Sequence, residues 1–119
     1  MLVIEDDEDS RTLFEDILRE SGIEVTGADH DALPEPDDFT VVVTDLPRSR
    51  TRYSSSRACD WIELLTRRYG VPVIVVTGHS EAVHDDRLRR AAACVMPKPV
   101  DVSEFVGIVR KTDGVMLPD

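Results

Sequence analysis

The segment Thr40-Val41-Val42-Val43-Thr44-Asp45 decides the fold of this chain. Its β-branched run is typical of a strand in a parallel sheet that is buried on both faces. Similar apolar runs occur on either side of it, and amphipathic helical patterns separate them. The segment therefore predicts the central strand of a parallel α/β sheet.

The alternation of strands and helices continues towards both termini. Strands are predicted at residues 2–4, 23–28, 40–44, 71–76 and 93–96. Helices are predicted at residues 10–20, 58–68, 81–92 and 101–111, with Asp101 as the N-cap of the last one. Between residues 29 and 38, Pro34 and Pro36 permit only a short helix or a loop. This order predicts one domain over residues 1–119, with helices on both faces of the sheet.

The composition limits the functions that the chain can have. Its 119 residues carry a formal net charge of −10, from 24 acidic and 14 basic side chains. Such an excess disfavours nucleic acid and anionic membranes as partners, and it suits a divalent cation or a basic protein. Two cysteines without a disulfide pattern, no membrane-length apolar segment and no signal-peptide pattern predict a cytoplasmic protein.

Side chains suited to phosphoryl chemistry follow four of the predicted strands. Glu5 and Asp6 come after the first strand, Asp45 after the third, Thr77 after the fourth and Lys98 after the fifth. Ligands of such sheets bind at the carboxyl ends of the strands, so we expect these side chains to converge. Carboxylates can hold Mg²⁺, and one can act as a nucleophile. An ammonium and a hydroxyl can stabilise a phosphoryl group in transfer.

At this point the sequence resembles the receiver domains of two-component response regulators over nearly its whole length. The matching segments are LVIEDD at residues 2–7, VVVTDL at 41–46, PVIVVTG at 72–78 and PKP at 97–99. The resemblance implies a flavodoxin-like, doubly wound sheet of five parallel strands in the order 2-1-3-4-5. It also implies a cis peptide bond between Lys98 and Pro99.

The resemblance further implies a function and the residues that perform it. Asp45 would be the phosphoacceptor, assisted by Thr77 and Lys98. Mg²⁺ would be bound by Glu5 (through water), Asp6, Asp45 and the main-chain carbonyl of Pro47. The implied partners are a histidine kinase or phosphotransfer protein as phosphodonor, and a downstream protein that receives the signal. Such a domain is phosphorylated itself and is not a turnover enzyme.

Three features depart from the family pattern. Val95 stands where receivers usually carry an aromatic switch residue, three positions before Lys98. Leu46-Pro47-Arg48 and an enlarged polar loop follow the phosphoacceptor position, and the second helix is shortened or missing. We expect these changes to alter the rim of the site and its readout while the reacting groups remain.

Two other functions remain open. A degenerate receiver would act as a phosphorylation-independent interaction module, which Val95 and the unusual loop favour. A Mg²⁺-dependent phosphohydrolase would need a second acid or a cap domain, and neither is evident in 119 residues.

Several polar residues lie outside the motifs. The enlarged loop carries a basic patch that is either solvated or contacts an acidic partner, formed by Arg48, Arg50, Arg52 and Arg57. His79, two residues after Thr77, is either an exposed loop residue or a modulator of phosphoryl lifetime. His30 and His84 are predicted to be surface residues.

Overall fold

A computed structural model describes residues 1–47 and 52–113. One sheet of five parallel strands has the order β2-β1-β3-β4-β5, which confirms the flavodoxin-like topology. The strands are β1 (Leu2–Ile4), β2 (Thr26–Ala28), β3 (Val42–Thr44), β4 (Val73–Thr77) and β5 (Cys94–Pro97). The helices are α1 (Glu8–Glu20), α2 (Ser55–Tyr69), α3 (Ser80–Val83), α4 (Asp86–Ala91) and α5 (Val102–Asp113). No helix in the described ranges is long and apolar enough to cross a membrane.

The sheet is packed on both faces, because successive side chains of a strand point to opposite sides. Val42 of β3 packs in one cluster with Ile62 of α2. Val43 packs in the other with Phe14 of α1 and Phe105 of α5, whose ring centroids lie 5.3 Å apart. Full burial of such a side chain contributes about 1.5–3 kcal/mol, so the two clusters hold the strand ends in a rigid frame.

Side-chain caps set where the helices begin. The carboxylate of Asp7 accepts a hydrogen bond from the amide of Ser10, so α1 begins at Glu8, two residues before the predicted start. The hydroxyl of Ser54 accepts one from the amide of Arg57, so α2 begins at Ser55, within the stretch predicted to be a polar loop. A cap of this kind contributes about 1 kcal/mol, enough to extend a helix into residues without apolar periodicity.

The predicted single helix over residues 81–92 is wrong, since two short helices, α3 and α4, occupy this part of the chain. Asp85 causes the break. Its carboxylate accepts hydrogen bonds from the amides of Arg87 at 3.0 Å and Leu88 at 3.3 Å, which caps a new helix. The same carboxylate accepts a bond from the Tyr53 hydroxyl at 2.6 Å.

Residues 29–41 cross from β2 to β3 without a helix, so the loop alternative is correct and the second helix of the family pattern is missing. Long-range contacts hold this crossing segment against α2. The carbonyl of Pro34 accepts hydrogen bonds from Arg68 at 2.9 Å and from the Tyr69 hydroxyl at 2.7 Å. Phe39 packs edge-on against the Tyr69 ring, with centroids 5.7 Å apart. The path of the chain beyond β2 is therefore fixed by side chains of α2.

Candidate functional site

Lys98, directly after β5, bridges the carboxylates that follow β1 and β3. Its Nζ donates hydrogen bonds to Glu5 Oε2 at 2.8 Å and to Asp45 Oδ2 at 3.0 Å. These side chains meet because the carboxyl ends of parallel strands lie at the same edge of the sheet. The structure thus brings together three of the residues that the sequence singled out.

The bridge keeps Lys98 charged. Partial burial alone would lower the pKa of its ammonium, but the hydrogen bonds and charges of Glu5 and Asp45 outweigh burial and raise that pKa above its usual value. Glu5 is only 4% exposed, so it needs this partner: an unpaired carboxylate is costly to bury. Its other oxygen accepts a hydrogen bond from the amide of Asp7 at 3.2 Å.

Asp45 is anchored but accessible. One carboxylate oxygen accepts a hydrogen bond from the amide of Leu46 at 2.7 Å and the other binds Lys98, while 22% of the side chain remains exposed. Its carbonyl accepts a bond from the Thr44 hydroxyl at 2.6 Å, and the indole of Trp61 donates to that hydroxyl at 3.0 Å. The carboxylate of Asp45 is therefore open to solvent, while its backbone is held in place.

Thr77, the last residue of β4, is fully buried. Its hydroxyl accepts a hydrogen bond from the amide of His79 at 3.1 Å, and its carbonyl accepts one from the amide of Lys98 at 2.9 Å. A hydroxyl that accepts one bond still has a proton to donate. A backbone hydrogen bond therefore connects Thr77 to Lys98 at the end of β5, and the Thr77 hydroxyl can still donate a hydrogen bond to a ligand.

His30 lies in the site, so its prediction as a surface residue is wrong. Its side chain is only 8% exposed, and its Nδ1 lies 2.7 Å from Asp6 Oδ1. Nε2 lies 3.0 Å from the carbonyl of Asp45, and the backbone amide of His30 donates to Asp6 Oδ1 at 2.8 Å. The ring packs against Trp61, with centroids 5.0 Å apart. One signal was available: His30 follows β2, at the same edge of the sheet as the other site residues.

Three further polar residues differ in their surroundings. Asp7, next to the acidic pair, is engaged in capping α1. The ring centroid of His79 lies 5.8 Å from that of Tyr53, whereas His84 is exposed. The peptide bond between Lys98 and Pro99 is cis, as the resemblance implied.

The basic patch divides between described and undescribed residues. Arg52 and Arg57 are exposed, whereas Arg48 and Arg50 lie outside the described residues.

The donors of the proposed metal site suit a hard cation. In the described ranges, no group of three or more His, Cys, Asp or Glu side chains is arranged to hold a metal ion. Mg²⁺ needs no such group, since it is usually bound by one or two carboxylates together with waters. Three carboxylates, those of Glu5, Asp6 and Asp45, lie at this edge of the sheet, and Lys98 binds two of them. Carboxylate oxygens are the donors that a divalent cation such as Mg²⁺ prefers.

Comparison with known proteins shows the fold. No family model and no curated protein matches the chain significantly. Among solved structures, the non-phosphorylated receiver domain of HemR from Leptospira biflexa is 24% identical, with a TM-score of 0.74 over 99% of this chain and 96% of that one. A CheY-like receiver domain from Methanospirillum hungatei is 20% identical, with a TM-score of 0.71 over 94% and 90%. The response regulator TrrA from Thermotoga maritima, in complex with Mg²⁺-BeF, is 18% identical, with a TM-score of 0.71 over 93% and 96%.

These similarities extend over nearly the full length of both chains in each pair. The chain therefore has the fold of response-regulator receiver domains, as its motifs predicted.

Proposed function

We propose that this chain is a phosphoacceptor receiver domain of two-component signal transduction, phosphorylated on Asp45 in a Mg²⁺-dependent reaction. The observation that carries the proposal is the Lys98 bridge to Glu5 and Asp45, at 2.8 and 3.0 Å. A cation fixed beside an accessible carboxylate is what transfer of a phosphoryl group to that carboxylate requires.

In the proposed reaction a carboxylate oxygen of Asp45 attacks the phosphorus of a phosphohistidine or of a small phosphodonor. A bond from oxygen to phosphorus forms, the bond from phosphorus to the leaving atom of the donor breaks, and the electron pair returns to that atom, which is a ring nitrogen in phosphohistidine. Lys98 is already within hydrogen-bonding distance of Asp45 and compensates negative charge on the equatorial phosphoryl oxygens. The hydroxyl of Thr77 donates a hydrogen bond to one of them.

The metal ion has a defined place in this proposal. Asp6, Asp45 and the main-chain carbonyl of Pro47 would hold it, with Glu5 acting through water. When bound, Mg²⁺ supplies positive charge next to the phosphoryl oxygens. The response regulator TrrA, which has a similar fold, forms a complex with Mg²⁺-BeF, and this supports the assignment.

The partners follow from the same chemistry. We propose a histidine kinase or phosphotransfer protein in the cytoplasm as phosphodonor, and a downstream protein as receiver of the signal. The changed surface would lie around α4, β5 and α5, because Lys98 and Thr77 connect Asp45 to this part of the sheet. The product stays on Asp45, so the chain acts as a signalling module and not as a turnover enzyme.

Phosphorylation by a small-molecule donor tests the proposal. The protein is incubated with the donor and Mg²⁺, and its intact mass is measured. An increase of about 80 Da, one phosphoryl group, is expected for the native chain and for Asp60→Asn, an exposed aspartate on α2. Asp45→Asn should show no increase. An unmodified native chain, or equal labelling of Asp45→Asn, would refute the assignment.

A phosphorylation-independent interaction module is the second candidate. Val95 favours it, because this partly buried valine packs in the core cluster with α2 and cannot act as an aromatic gate. If the phosphorylated and unphosphorylated chains bind a partner with the same affinity, this candidate is favoured over signalling through Asp45.

A further inference from the structure

The indole of Trp61 fixes the direction of a hydrogen bond to the main chain of Asp45. Its Nε1–H can only donate, and it donates to Oγ1 of Thr44 at 3.0 Å. The Thr44 hydroxyl is fully buried at the end of β3, and it accepts this bond while its own proton stays available for another partner. That partner is the carbonyl oxygen of Asp45, at 2.6 Å. The indole therefore determines which way the threonine proton points.

The carbonyl of Asp45 belongs to the same peptide unit as the amide that holds the Asp45 side chain. This unit is planar and trans, so its C=O and its N–H point in opposite directions. The N–H is that of Leu46, and it donates to Oδ1 of Asp45 at 2.7 Å. The other oxygen, Oδ2, binds Lys98 at 3.0 Å. A change in the direction of the carbonyl would therefore turn the amide that anchors one of the two carboxylate oxygens.

Trp61 also contacts the second group that lies against this carbonyl. Nε2 of His30 is 3.0 Å from the Asp45 oxygen, and the His30 ring packs on the indole with centroids 5.0 Å apart. A carbonyl oxygen has two lone pairs, so both contacts fit. The indole itself is held by α2, whose Ile62 is fully buried in the core cluster against the sheet. One side chain on a rigid helix therefore supports both groups at the Asp45 carbonyl.

We propose that Trp61 is a positioning residue for the phosphorylation of Asp45: through the Thr44 hydroxyl it orients the peptide unit whose amide anchors the attacking carboxylate. The inference rests on the proposed function, from which it takes Asp45 as the nucleophile. A reacting atom that is held in place reacts faster than one that rotates, and a displacement of about 1 Å can cost about a hundredfold in rate. Loss of one neutral hydrogen bond from this relay should lower the rate about fivefold.

Two substitutions break the relay at different points. Trp61→Phe removes the N–H and keeps an aromatic ring against His30, and Thr44→Val removes the hydroxyl and keeps the shape of the side chain. Each should lower the rate constant for phosphorylation by a small-molecule donor with Mg²⁺ about fivefold, measured from intact mass over time. The double variant should be about as slow as either single one, because both act on the same relay. Thr44→Ser keeps the hydroxyl, and its rate should stay within about twofold of the native rate.

Thr112→Val is the matched control. Thr112 is also a buried threonine, but its hydroxyl donates to the carbonyl of Ile108 within α5, at 2.7 Å. Its loss should change the free energy of unfolding without changing the rate of phosphorylation, so the control separates lost stability from lost positioning.

Hydrogen exchange of the Leu46 amide tests the relay without any reaction. In the metal-free, unphosphorylated protein this amide should exchange about fivefold faster in Trp61→Phe and in Thr44→Val, but not in Thr44→Ser. The amide of Val75, buried in β4, is the reference that corrects for a change in global stability.

Three results would each overturn the inference: a native rate in Trp61→Phe, equal losses in Thr44→Val and Thr44→Ser, or an unchanged exchange rate of the Leu46 amide. If the native chain is phosphorylated on Asp45 in these cases, the proposed function stands. A native chain that takes up no phosphoryl group would refute the proposed function and this inference together.

Discussion

Replacing Lys98 with methionine tests whether the lysine bridge stabilises the fold. The substitution keeps an unbranched apolar side chain and removes the cation between Glu5 and Asp45. Removing one partner of a fully buried charge pair costs about 3–5 kcal/mol. Here the side chain of Glu5 is 5% exposed, but the side chains of Lys98 and Asp45 are 26% and 22% exposed, so water compensates for part of the lost interaction. We expect a loss of about 2 kcal/mol in the free energy of unfolding.

Urea unfolding of the metal-free protein at pH 7 measures this loss. A change of about 2 kcal/mol corresponds to a decrease of about 8 °C in Tm for a chain of this length. Adding Glu5→Gln to the variant removes the buried, unpaired carboxylate and should restore about 1 kcal/mol. Lys111→Met changes the other lysine of the chain, which is exposed, and is the control.

The pH dependence follows from the raised pKa of Lys98. A cationic group whose pKa is higher in the folded state stabilises the fold fully below its unfolded pKa, about 10.4 for lysine. This contribution is lost only as the pH rises through the higher, folded value. The difference between Lys98→Met and the native chain should therefore stay constant from about pH 7 to 9. A loss within about 0.5 kcal/mol of that in Lys111→Met would refute the reasoning.

Three further substitutions test the frame around the site, each by urea unfolding. Gly70→Ala should cost about 1 kcal/mol, because φ is 65° at this end of α2 and an alanine is strained there. A clash would not contribute, since no atom lies within 4 Å of the added methyl group. Gly78→Ala is the control: it has equal space and no positive φ, so it should cost clearly less. Tyr53→Phe should cost about 1 kcal/mol by removing the bond to Asp85. Burial and Asp85 raise the pKa of Tyr53, so native stability should fall above about pH 10, where unfolded tyrosine ionises first, and the variant should lack this decline. Asp101→Ala should cost about 1 kcal/mol by removing the cap of α5, and an unchanged midpoint would contradict that role.

Most of the fold could be predicted because local and global signals agree. The valine run of β3 needs burial on both faces, and only a parallel sheet between two helical layers supplies it. The ends of a helix are harder to predict where a single polar side chain determines them. Asp85 divides residues 81–92 into α3 and α4 by capping, an effect that the apolar pattern does not contain.

The acidic residues, Thr77 and Lys98 could be placed at one edge because they follow strands of known direction. The distances that make them a site could not be predicted. The sequence puts Lys98 near two carboxylates, but only the packed sheet shows that its ammonium reaches both Glu5 and Asp45. The metal ligation and the phosphoryl transfer remain predictions.

The position of His30 shows that the loss of the second helix, between β2 and β3, matters more for the site than the sequence suggested. Pro34 and Pro36 indicate only that residues 29–38 are not a regular helix, and the path that replaces the helix is set by Arg68 and Tyr69 of α2 binding the Pro34 carbonyl. These contacts are long-range, so no local pattern predicts them. They keep the crossing segment close to α2, where His30 packs on Trp61 and reaches both Asp6 and the Asp45 carbonyl. The missing helix was expected to change only the rim of the site, but in the structure its replacement adds a buried imidazole to the centre.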